Sequence, residues 1–301
     1  MKPINIAAID IGSNGARLLI KRYDPDNETE ADRIKKMMFV RIPLRLGNDV
    51  FSLGKISKPR ARMMIHMMKG FREFMKLYGV EKYRACATSA MRDADNGKDI
   101  IKKIERLTGI DLEIIKGQEE AKLLFCNLLE KTGSNEGNFA YIDVGGGSTE
   151  VSLIHDGRLA ESMSYDIGTI RLLNDKVKES TIKEYKRNLT KYAELYGDIT
   201  IIGSGGNINK LCKLAQHDKN QQQVLAVSEL LHLYSTLKSM SIAERKQQFK
   251  LKDDRADVIV PAAQIFLKAC EYLRCEQILV PNISLADSIV DGMIEEIKEI
   301  K

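Results

Sequence analysis

Short apolar runs alternate along the chain with longer segments in which apolar residues recur every three or four positions. INIAAID (4–10) predicts a buried strand and ARLLIKRY (16–23) its hairpin partner, after which the polar PDNETEAD turns the chain away. Behind Ser57, a predicted N-cap, the residues Met63, Met64, Met67, Met68, Phe71, Phe74, Met75 and Tyr78 stand at helical spacing, and this methionine stripe is expected in the core. YRACAT predicts a strand, KDIIKKIERLTG a helix, DLEII a strand and 118–131 a further helix. KTGSNEGN (131–138) is the best linker by composition. Beyond it come strands at 149–155 and 158–165, two helices, the strand DITIIG and the helix GNINKLCKLA. Helices near 227–238 and 255–274, the strand EQILVP and a last helix over 284–300 complete the chain. The alternation predicts an α/β fold, and 301 residues suit two domains better than one.

One pattern occurs twice. AAIDIGSNGARLLI (7–20) and FAYIDVGGGSTEVSLI (139–154) each read as strand, aspartate, glycine-rich turn, strand. Superposed, they pair Asp10 with Asp143, Gly12 with Gly145, Ser13 with Gly146, Asn14 with Gly147, Gly15 with Ser148, and Arg17 with Glu150. An internal repeat of half the molecule is expected, with two equivalent loops facing each other across a cleft. Backbone N–H groups with little side chain in the way suit a phosphate, and an aspartate at a strand end suits a divalent cation, held directly or through water. A single such turn is equally an ordinary hairpin. The recurrence argues against that for the pair, as do the three successive glycines at 145–147, which cost conformational entropy with no packing return. A third turn, IIGSGGNINKL (201–211), passes from strand to helix, whose N-terminus suits an anion.

Composition narrows the setting. The five cysteines (Cys86, Cys126, Cys212, Cys270 and Cys275) are scattered without a C-x-x-C pair, which argues against a disulfide framework or structural zinc and for reduced, mostly core thiols. No apolar run approaches the ~20 residues of a membrane span, and MKPINIAAID enters a strand without a signal-type stretch, so a cytoplasmic protein is expected. The net charge of +5 is spread among acids, with no basic tail or stripe for nucleic acid, and is compatible with an anionic substrate. His66, His155, His217 and His232 show no ligand spacing and read as structural.

The two loops and the third turn resemble the actin-like ATPase and sugar kinase superfold, which implies two ribonuclease-H-like α/β domains with an interdomain active-site cleft. Within it, DIGSN, PLRLGNDVF, ATSAMRDADNG, KGQEEAKLLF, YIDVGGGSTEVSLI and IGSGGNINKL stand in the order and spacing of the exopolyphosphatase and guanosine pentaphosphate phosphohydrolase family. The resemblance covers essentially the whole chain and implies a short, two-domain form. Residues 1–130 would carry the first phosphate loop and 131–301 the second, with the last helix, 284–301, packing back on the first domain. Of the two glutamates in KGQEEA, the resemblance makes Glu120 catalytic, the base for a water in line with the leaving oxygen. Read from the residues alone, Glu120 is a first-turn helix acid favoured by the dipole, a reading that Glu119 keeps.

The resemblance further implies magnesium at Asp143 and Asp10. Glu150 would stand beside them, or else be an ordinary strand residue. Gly145, Gly146, Gly147 and Ser148 would hold the scissile phosphate with Ser13 and Asn14 opposite. Arg45 and Arg92 would face phosphate oxygens through bidentate forks, or else form surface ion pairs. A homodimer is also implied. Two positions depart from the pattern: Gly15 stands where the family usually has serine, and Val290-Asp291-Gly292 where it tends to have Arg-Glu-Gly. The expected activity is release of terminal phosphate from inorganic polyphosphate, preferably short chains, with guanosine pentaphosphate 5′-phosphohydrolysis as the alternative. No nucleic-acid or membrane partner is expected. A sugar-kinase-type transferase would need a polar insertion in the first half, and none is found. A non-catalytic binder of guanosine tetraphosphate or pentaphosphate would have lost Glu120, which is present. If Gly15 is a lost phosphate ligand, Gly15→Ser restores a hydroxyl; if it is kept for a positive φ, the same change costs stability.

Overall fold

The computed structural model describes residues 2–132, 137–215, 224–281 and 284–299, with the side chains of 30, 31, 125–132 and 299 left aside. Residues 133–136 of the expected linker, the Cys126 side chain and His217 therefore lie outside the described residues. The chain divides into two compact units, Met1–Asn127 with Leu285–Lys301, and Leu128–Ser284.

In the first unit, β1 (Ile4–Ile11) pairs antiparallel with β2 (Ala16–Tyr23), and β2 antiparallel with β3 (Ile34–Ile42). On its other side β1 runs parallel to β4 (Lys82–Ala87), and β4 to β5 (Glu113–Ile114), giving the order β3-β2-β1-β4-β5. Ile6, Ala7, Ala8 and Ile9 are all fully buried, so β1 is covered on both faces, as its unbroken apolar run requires. Helix Leu285–Glu299 packs against β1, β2 and β4, and helix Lys58–Leu77 against helix Gly97–Thr108.

The Ser57 hydroxyl caps helix Lys58–Leu77 as expected, accepting from the Arg60 N–H at 3.4 Å. Met64, Met67, Met68, Phe71 and Met75 are buried, but Met63 and Phe74 are 49% and 37% exposed, which corrects the expectation of one continuous core stripe. The apolar positions wrap more of this helix than a single packed face can cover. Strand β3 was not legible in the sequence. Its Lys35 and Lys36 are exposed at the sheet edge, and its pairing with β2 slips opposite Ile20 and Lys21, which breaks the alternation.

The second unit repeats the plan. β6 (Asn138–Val144), β7 (Thr149–His155), β8 (Arg158–Tyr165), β9 (Ile199–Ser204) and β11 (Gln277–Leu279) reproduce the order and directions of β1 to β5, and β10 (Val224–Ala226) adds an antiparallel edge. Its core joins Ile142, Val151 and Ile201 of the sheet to Leu189, Leu211, Leu230 and Phe266 from four helices. The helix expected near 255–274 is two, Asp253–Ala256 and Ile259–Leu273. Neither β10 nor helix Ile242–Phe249 was anticipated. The latter buries no residue and so has no apolar stripe, although the capping box formed by Ser241 and Glu244 marks its start.

Cys86, Cys212 and Cys270 are buried and free, and Cys275 is partly buried and free. Burial pushes the Cys270 and Cys275 thiols up to about 12 and about 11, which leaves them unreactive near neutral pH. Among the described residues, no helix is long and apolar enough to cross a membrane.

Candidate active site

The first glycine loop closes on itself, the Gly12 N–H donating to the Gly15 carbonyl at 3.0 Å. A second segment then ties back its other carbonyls: the Gly47 N–H donates to Ser13 O at 2.8 Å and the Arg45 N–H to Asn14 O at 3.0 Å. Arg45 adopts the left-handed conformation, φ 51°, at the start of helix Leu46–Leu53, so the PLRLG segment is the loop's backing. The structure thus brings Ser13, Asn14 and Arg45 together. Asp10 is buried and accepts a hydrogen bond from the Arg17 guanidinium. The register aligns Asp10, Arg17 and Arg41 across β1, β2 and β3.

Gly15 does not have a positive φ. A Cβ placed there would stand 3.0 Å from the Ile42 carbonyl oxygen and 3.4 Å from the Arg41 guanidinium, so the position is glycine because β3 passes over it. Gly15→Ser is therefore expected to lower stability by about 1 kcal/mol or more by overpacking, without lowering KM. A melting curve and a KM on the same purified variant check this; unchanged melting with a tighter KM would reinstate the lost-ligand idea.

The second loop is built in the same way. The Gly145 N–H donates to Ser148 O at 3.0 Å, while Thr169 and Ile170 donate their N–H groups to Gly145 O and Gly146 O at 3.0 and 2.8 Å. The Arg171 Nε adds a bond to Gly147 O at 2.8 Å. With the carbonyls bound on one side, the N–H groups of Gly146, Gly147 and Ser148 have no protein acceptor among the described residues. Gly168 makes this backing possible: a Cβ there would lie 2.4 Å from the backbone N and C of Gly147. At the loop's base, Asp143 and Glu150 face each other in the β6–β7 register, with carboxylate oxygens within 4.8 Å. Glu150 is buried, and one of its oxygens accepts from the Ser164 hydroxyl at 2.9 Å.

The repeat is therefore symmetric in backbone and opposite in charge. Where the first loop sets Asp10 against Arg17, the second sets Asp143 against Glu150. Two adjacent carboxylates fit a divalent cation, whereas a carboxylate paired with a guanidinium is already neutralised.

At the third turn Gly205 has φ +107°, and a Cβ would stand 3.2 Å from Asp143 Oδ1; the Arg255 guanidinium lies over Gly206, 2.9 Å from where its Cβ would be. Burial, then the nearby charges of Arg255 and Lys213, push the Lys210 amine down. This turn is thus a basic spot.

In the first unit, Glu120 lies in the opening turn of helix Gly117–Thr132 and is only 5% exposed. The Arg92 Nη1 sits 3.2 Å from its Oε2 and also donates to Ile115 O at 2.8 Å. Glu119 instead points outward to Arg84, 2.7 Å away. Arg92, implied as phosphate-facing, is thus joined to the implied base. Sequence reasoning missed Arg41, Gly168, Arg171 and Arg255, and gave Arg17 no role. A hairpin closed on Asp10 by a four-residue turn does place Arg17 opposite it, so that signal was present; the others depend on contacts between segments distant in sequence.

Two sheets of order 3-2-1-4-5, each with a glycine loop between its first two strands, define a protein of the actin-like ATPase fold. Residues 28–296 match the Ppx/GppA phosphatase family, and the chain belongs to it. Over 95% of its length it is 28% identical to the bifunctional 3-dehydroquinate synthase/phosphatase of Fusobacterium nucleatum, covering 46% of that protein. It is 30% identical over 57% of its length to exopolyphosphatase 1 of Mycobacterium tuberculosis, covering 48%. It is 25% identical over 98% of its length to the guanosine-5′-triphosphate,3′-diphosphate pyrophosphatase of Aliivibrio fischeri, covering 60%. The chain thus spans about half the length of these relatives. The crystal structure of the Aquifex aeolicus member of the family superposes with a TM-score of 0.77 at 25% identity, covering 98% of this chain and 99% of that one. An exopolyphosphatase structure from Cytophaga hutchinsonii gives 0.84 at 22% identity, covering 97% and 98%.

Proposed function

We propose that the chain is a magnesium-dependent phosphoanhydride hydrolase that releases the terminal phosphate of inorganic polyphosphate. The observation that carries this is the second loop, whose N–H groups at 146–148 are left without a protein acceptor, among the described residues, next to the Asp143–Glu150 pair. Such N–H groups stabilise charge on the equatorial oxygens of a phosphoryl group in transfer. Asp143 and Glu150 would hold the magnesium, which when bound balances phosphate charge; the Asp10 carboxylate is already bonded to the Arg17 guanidinium and would be the weaker ligand. Glu120 takes the proton of the attacking water, the water oxygen bonds to phosphorus, and the bond to the leaving chain breaks. Arg92 holds the Glu120 carboxylate in one orientation. The scattered free thiols suit a reducing cytoplasm.

Guanosine pentaphosphate is the second candidate substrate. The relative named for that nucleotide aligns with 98% of the chain, against 57% for exopolyphosphatase 1. Phosphate release with magnesium, from polyphosphates of several lengths, guanosine pentaphosphate and ATP side by side, decides between them, and no release from any would refute hydrolysis.

Asp143→Asn removes the charge that attracts the cation. The magnesium concentration for half-maximal activity is expected to rise roughly 10–100-fold. An unchanged magnesium titration would place the cation elsewhere.

A further inference from the structure

Ser89 is 2% exposed, and its hydroxyl oxygen has no hydrogen-bond partner. The same holds for the Ser13 hydroxyl, in a residue 3% exposed. A buried hydroxyl left unmade costs free energy that alanine would not, so two of them in one region call for a ligand. Their region is one place. Ala87 is the register partner of Ile11, and the Thr88 N–H donates to Ile11 O at 3.1 Å, so residues 87–89 leave β4 alongside residues 11–13 as these leave β1. This is the C-terminal edge of two parallel strands, where open α/β sheets bind ligands. Ser89 also lies one helical turn before Arg92, which holds Glu120. It stands, along the chain, between the first loop and the proposed base.

From this placement we infer that Ser89 is a phosphate ligand of the first unit, its hydroxyl donating together with Ser13 to a non-bridging oxygen of the substrate's phosphate chain. The inference rests on the phosphohydrolase function proposed above. Ser89 would serve the phosphate chain whether that chain is inorganic or ends in a nucleoside, because only a phosphoryl oxygen is recognised. The contact is a directed neutral donor, and so fixes position more than it adds attraction.

Ser89→Ala separates a ligand from a structural hydroxyl, because the two move stability in opposite directions. The variant is expected to melt at the same temperature as the parent or higher, since an unsatisfied buried group is removed. KM for tripolyphosphate, or for guanosine pentaphosphate if that is the substrate cleaved, is expected to rise about tenfold or more, and the rise in melting temperature produced by that compound with magnesium to shrink accordingly. Ser13→Ala should behave alike. A Ser89→Ala protein that melts lower, with KM and the ligand-induced melting shift unaltered, would show a structural hydroxyl and overturn the proposal. If instead the parent protein neither cleaves these compounds nor melts higher with them, the phosphohydrolase function itself fails, independently of either serine.

Discussion

Glu120→Gln is expected to lower turnover by about 10²–10⁴-fold with little change in substrate binding. The amide keeps the size of the side chain and one acceptor for Arg92 Nη1, so the packing of a group only 5% exposed is preserved while the proton acceptor is lost. Glu119→Gln is the control. Its neighbour carboxylate meets Arg84 in an ion pair that is about half exposed, and such pairs contribute about 0–1 kcal/mol, so turnover should stay near the parent's. Single-turnover phosphate release on all three proteins, with melting curves beside them, makes the comparison. Near-parent turnover in Glu120→Gln would remove this residue from the chemistry.

The largest effect on stability is expected at Lys21. This lysine is 6% exposed within β2, and its Nζ lies 2.7 Å from Asp291 Oδ1 and 3.2 Å from Asp287 Oδ1, both on helix Leu285–Glu299. The triad ties the far end of the chain to the first sheet. It also accounts for one departure from the family pattern. Val290 is fully buried, where an arginine's charge would be costly, and Asp291 spends its own charge on Lys21. Lys21→Met leaves two carboxylates facing each other at a mostly buried position. Removing one side of such a cluster costs about 3–5 kcal/mol, which lowers the melting of the first unit by on the order of 10 °C. Adding Asp287→Asn and Asp291→Asn should recover most of this, because the two like charges left facing each other are removed. A single variant that melts within about 2 °C of the parent would show that the triad contributes little.

Local grammar made much of this protein legible. The strand–aspartate–glycine-loop unit reads directly because a buried strand needs an apolar run and a close phosphate approach needs residues without side chains, both conditions on neighbouring positions. The same locality sets the register at both hairpins, although that pairing was not read from the sequence: a four-residue turn sets Asp10 opposite Arg17 and Asp143 opposite Glu150. The Ser57 cap and the helix GNINKLCKLA are equally local. Strand β3 and the exposure of Met63 and Phe74 were not legible, because edge position and which face of a helix is covered depend on segments far away in sequence.

The sequence by itself determined the α/β alternation, most of the strands and helices and the two matched loops, because propensity, periodicity and turn chemistry act over a few residues. Only the tertiary structure decided what those groups do to one another. It turned the loop carbonyls toward 45–47 and 168–171, and left the N–H groups of 146–148 without a protein acceptor among the described residues. It bound Arg92 to Glu120 and Lys21 to Asp291, and it filled the space above Gly15 with the backbone of β3. These outcomes follow from burial and from pairing across strands and helices, where a charge or an N–H must find its partner in whichever distant segment packs against it.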